Sequence, residues 1–147
     1  MSDFFELTLP TKDEKSEHEK GVQRIRDSLN RLNLPLLPPH IVKCDSYHPD
    51  VSTRIEGDMF TVIDYVNTEG QLNFDIGGLF LLLAHKDIVQ RCVAVIGKNV
   101  YPELVAMVKK YRSPYLEKLV VLHEDELEAY LTECMSKSYL WQPDDTV

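Results

Sequence analysis

This sequence has no apolar stretch long enough to cross a bilayer. Its longest uncharged apolar run, Ile76 to Ala84, covers nine residues, where a spanning helix needs roughly 20. It also lacks a basic surplus: 16 Lys and Arg stand against 24 Asp and Glu, for a net charge of −8. That balance speaks against direct nucleic-acid binding, which needs cations to neutralise phosphates, and against an electrostatic grip on anionic lipid. The three cysteines, Cys44, Cys92 and Cys134, form no CxxC and are odd in number, so a disulfide framework is not expected. The first residues show no basic segment leading into an apolar one, hence no secretory signal. Together these absences read as a soluble protein of the cytoplasm or nucleus.

The phosphate-binding motifs are missing as well. "FDIGGLFLLLA" (74–84) carries paired glycines before an apolar run. It matches neither GxxxxGK[ST] nor GxGxxG. We expect it to be a strand-to-helix turn, with Asp75 capping the following helix and the glycines allowing close packing.

What is present is an alternation of strand-like and helix-like segments. A tail (1–10) precedes a charged helix over 11–33, with Thr11 and Glu14 at capping-box spacing. Its apolar residues Val22, Ile25, Leu29 and Leu32 recur at helical steps, so its first turns should be solvated, with Gly21 weakening the junction. Pro35, Pro38 and Pro39 make 34–58 a linker and polar loop, with a short strand at 41–44. Over 59–140 we expect an α/β core. "MFTVIDYV" gives a strand, "NTEG" a turn, "LNFD" a second extended piece and Leu79 to Arg91 a helix. "CVAVIG", "YPELVAMVKKY", "LEKLVVL" and "EDELEAYLTECM" then read as strand, helix, strand and helix. Residues 141–147 form a second tail. The order predicts one α/β domain with a mostly parallel sheet and crossover helices, preceded by an amphipathic helix.

Candidate chemistry is sparse. His40, Cys44 and His48 have H-x3-C-x3-H spacing, which binds metal only on a continuous helix with a fourth ligand. Pro39 and Pro49 argue against that helix, so neither metal nor cofactor is expected. Asp64, His85 and Cys134 are the residues an unrecognised enzyme site would use, but no triad is complete. The terminal Asp145-Thr146-Val147 has the form of a PDZ-type ligand.

Residues 59–135 resemble the CRAL-TRIO family, particularly its divergent branch. The likeness rests on "VIDYVN" (62–67), "CVAVIG" (92–97) and "YRSPYLEKLVVLHEDELEAYL" (111–131), with Lys118 at the family's strand start. The same stretch is similar to STAS domains, with "FDIGGL" where their regulatory "DSSG" lies. There Ile76 and Gly77 replace both serines, so that phosphorylation switch is missing. The CRAL-TRIO resemblance implies either an enclosed lipid or a protein-interaction module, the latter including small GTPases and their regulators as partners. We expect a non-enzymatic interaction module, an adaptor or a small subunit of a larger assembly. Its partner would meet Val22, Ile25, Leu29 and Leu32. A small lipid-binding protein is the alternative.

Overall fold

The computed structural model describes residues 12–38, 41–42, 47–85, 87–98, 100–110 and 118–140. In chain order they form helix α1 (Lys12–Arg31), strand β1 (Val51–Thr53), strand β2 (Phe60–Val66), helix α2 (Glu69–His85) and strand β3 (Val89–Ile96). Helix α3 (Pro102–Lys110), strand β4 (Leu119–His123), a 3-10 turn (Glu124–Glu126) and helix α4 (Leu127–Leu140) follow. The four strands make one sheet in the order β1-β2-β3-β4. β1 runs antiparallel to β2, whereas β2, β3 and β4 are parallel. The expected α/β domain with a mostly parallel sheet is therefore present, behind its N-terminal helix.

Side chains alternate across the pleat and divide the core into two layers. Val62 and Val66 of β2, Cys92, Ala94 and Ile96 of β3, and Val121 of β4 pack under Leu72, Leu79 and Leu82 of α2 and Val105 of α3. On the other face, Ile63 and Tyr65, Val93 and Val95, and Leu122 meet Val22, Ile25 and Leu29 of α1 and Leu127 and Leu131 of α4. Both crossover helices thus cover one side, and the flanking helices cover the other. Parallel strands buried on both faces explain the nearly unbroken apolar runs.

Several expectations need correction. Val51–Thr53 lies in the stretch read as a loop, yet it pairs with Thr61–Ile63 along the free edge of β2. "LNFD" is helical, and α2 begins ten residues before the expected Leu79 and ends at His85, because Val89–Arg91 belongs to β3. The cause is a start signal at "TEGQ": Gln71 N donates to Thr68 Oγ1 at 3.2 Å, and Asn67 N donates to Gln71 Oε1 at 2.9 Å. That is close to a capping box, with the amide one residue earlier than usual. Asp75 is therefore no cap; it sits in mid-helix, buried toward the sheet. Gly21 is likewise no weak joint, since the Tyr65 ring lies where its side chain would be.

The short strand expected at 41–44 and the Thr11–Glu14 cap fall partly or wholly outside the described residues, as do both tails. No helix among the described residues is long and apolar enough to cross a membrane.

Candidate functional site

In open parallel sheets, ligand sites form where the strands end at their carboxyl termini. Here those ends open into a cleft of about 1010 Å³. Asn67 follows β2, Gly97 and Lys98 follow β3, and His123 ends β4. Glu124 to Glu126 form one wall, and Glu17 and Arg24 of α1 form another. Arg24 is held across the cleft by Glu124: Nε donates to Oε1 and Nη2 to Oε2 at 3.3 Å. Nη2 also donates to the Tyr65 hydroxyl at 3.3 Å. Glu124 raises the Arg24 pKa, mainly through the hydrogen bond, so the guanidinium is committed to this wall. Asn67 Nδ2 donates to the Glu14 carbonyl at 3.1 Å. With Arg24 balanced by Glu124, Glu17, Asp125 and Glu126 stand against Lys98 among the described residues of the lining. Among the described residues the lining contains no thiol and no aliphatic hydroxyl; what they form can hold a polar ligand.

Beneath this end lies a buried carboxylate group. Asp64, 2% exposed in β2, accepts from the Tyr47 hydroxyl and from the Asp50 amide at 2.8 Å. Asp50 Oδ2 in turn accepts from Tyr65 N at 2.8 Å and lies 3.1 Å from His18 Nε2. Burial pushes the Asp64 carboxyl up to about 7, against the pull of the Asp50 amide and His18. Asp75 goes to about 9, from burial and then from the charges of Asp64 and Asp50. His18 is raised by its bond to Asp50. These groups tie α1, the β1 edge and β2 together, which is a structural task.

The other candidates do not converge. Cys92 is buried under α2, donating weakly to the Leu79 carbonyl at 3.5 Å, with burial raising its pKa far from thiolate reactivity. Cys134 is buried on α4. His40 and Cys44 lie outside the described residues, as does the His85 side chain, and His48 is exposed. Among the described residues no group of three His, Cys, Asp or Glu side chains is placed to hold a metal. Val22, Ile25 and Leu29 are buried against this chain's own sheet and Leu32 is half-buried. A partner of α1 would have to meet its polar side.

The exposed apolar surface is elsewhere. Phe74 is 69% exposed and Leu81 44%, with Phe80 and Ile88 also open. Tyr101 before α3 and Met107 within it are exposed too. Sequence reasoning missed this patch, although α2 carries only two charged residues, Glu69 and Asp75, in 17. Compared with known proteins, the chain matches no family model, no curated protein and no solved structure.

Proposed function

We propose that the chain is a non-enzymatic protein-interaction module, an adaptor or small assembly subunit, and that it docks through the outer face of α2. One observation carries this reading: α2 is apolar on both sides, yet among the described residues the core covers the side bearing Leu72, Leu79 and Leu82, while Phe74, touched by the Tyr47 ring at its edge, and Leu81 stay exposed. A helix hydrophobic all round normally has both faces covered, and contiguous exposed apolar surface marks interaction sites. The resemblance to divergent CRAL-TRIO modules leans the same way. A lipid carrier is less well supported, because the cleft is lined by charge and both core layers are filled by side chains.

The test compares wild type with a Phe74→Asp/Leu81→Asp double variant, tagged and recovered from cells that express the protein. Both positions are solvent-exposed, so unfolding should shift by no more than roughly 1 kcal/mol, while proteins that co-purify with wild type should be lost. An unchanged set of companions, with the variant folded, would rule out this face.

A further inference from the structure

The outer stripe of α2 has an order of its own. Phe74, Gly77, Leu81 and Ala84 follow one another at steps of three, four and three, all exposed, and exposed Ile88 follows four residues on, in the turn after the helix. That is the seam spacing of paired helices, with large residues at one heptad position and small ones at the other. In an antiparallel pair, one position of the seam faces the other position of the partner. A two-fold axis between Gly77 and Leu81 then sets Gly77 against the second copy's Leu81, and Phe74 against its Ala84. Every large side chain meets a small one, and both backbones can approach closely.

We infer that the partner for this face is a second copy of this chain, joined through an isologous, antiparallel α2–α2 contact. The inference rests on the interaction reading above and names its partner. Self-complementarity is the property a two-fold interface demands, and an arbitrary partner helix would not require it. Charge agrees: two molecules of net charge −8 repel each other, yet the seam itself bears no charge. The helix's two carboxylates stay off that seam, because Glu69 lies in the first turn, before Phe74, and Asp75 is buried toward the sheet. The exposed aromatic and aliphatic side chains along the stripe offer on the order of 800 to 1,000 Å² in total for two copies. That is the size of a weak, transient interface rather than of a permanent one, so association should depend on concentration.

The experiment is sedimentation equilibrium on the full chain from about 1 to about 500 µM, with two variants. Wild type should pass from monomer to dimer in that range. Gly77→Leu has room on the single molecule, because a Cβ added at Gly77 meets nothing within 4 Å. It should fold at least as stably as wild type and weaken dimerisation at least tenfold. The exchange Gly77→Leu/Leu81→Ala restores a large-against-small pairing and should recover affinity to within a few-fold of wild type. A wild type that stays monomeric throughout, a dimer indifferent to Gly77→Leu, or an exchange that fails to rescue overturns the inference. If the chain is monomeric but the Phe74→Asp/Leu81→Asp variant still loses its cellular companions, the second-copy assignment falls and the interaction reading stands. If neither behaviour is seen, both fall.

Discussion

Helices α1 and α2 lie on opposite faces of the same sheet and use their surfaces in opposite ways. α1 is mostly charged, and its narrow apolar edge of Val22, Ile25 and Leu29 is wholly buried within the domain. α2 is mostly apolar, yet the described residues bury its inner half and leave Phe74 and Leu81 exposed. The helix that looked free to meet a partner is the one already docked, and the helix that looked like pure core has a face left over. The width of an apolar stripe tells more than its presence: a narrow stripe fits one neighbour, whereas apolar residues all round call for two.

The sharpest test of this contrast truncates one large side chain from each helix. Leu29→Ala on α1 removes a fully buried side chain and should destabilise by about 2 to 5 kcal/mol in urea unfolding. Phe74→Ala on α2 should cost less than about 1 kcal/mol on the monomer. Equal losses at the two positions would end the distinction between a docked and an open helix.

The inner face of α2 gives the next largest effect, and it depends on pH. Asp75 faces Asp64 and Asp50, and His18 and Tyr47 complete the group. A carboxyl whose pKa in the fold is raised above its ordinary value near 3.8 stabilises the fold fully below that value. The contribution is lost as pH rises toward the folded value, about 9 for Asp75 and about 7 for Asp64. His18, also raised, acts in the same direction as pH passes neutrality. Stability should therefore decline between about pH 4 and pH 8 through these groups. Asp75→Asn keeps the shape without the charge, and should flatten that decline and be more stable than wild type at pH 8. A variant that follows the wild-type pH profile would show that Asp75 is not held neutral in the fold.

Two glycines extend the comparison at a smaller scale. Gly21→Ala on α1 places a methyl against the Tyr65 ring and should destabilise by about 1 to 3 kcal/mol, as overpacking does. Gly77→Ala on α2 points into open space and should stabilise the monomer by up to about 1 kcal/mol through helix propensity. Thermal unfolding of the two variants at equal, dilute concentration should shift in opposite directions. A shift of the same sign in both would show that α1 and α2 do not differ in how closely they are packed.

The sequence made the parallel core readable because buried strands such as "CVAVIG" and β-branched runs such as "FTVIDYV" have few alternatives. It concealed β1, whose three residues are too short for periodicity and are fixed by pairing to the edge of β2. It misplaced the start of α2 because Gly70, Gly77 and Gly78 resemble a turn, while the Thr68–Gln71 cap that overrides them spans four residues. Gly78 is fixed by a contact no local pattern contains, the Tyr47 ring packed upon it from the long loop. The cleft was legible only as a general rule about strand ends. Its lining combines α1 with residues about a hundred positions later, such as Arg24 with Glu124.

That ion pair supplies the smallest expected effect and a check on what holds α1 in place. Arg24 and Glu124 are both partly solvated, with side chains 47% and 28% exposed, so the pair is screened and worth less than about 1 kcal/mol. Arg24→Ala should lower unfolding free energy by that amount in dilute buffer and by less at high salt, measured by urea titration. Some of the loss will persist at any salt, because the guanidinium also lies 5.8 Å from the Tyr65 ring centre and its stem covers apolar surface. If Arg24→Ala instead costs as much as Leu29→Ala, α1 is held by its charged face and the cleft wall. The apolar edge would then be the weaker attachment, and the contrast drawn between the two helices would fail at its better-buried end.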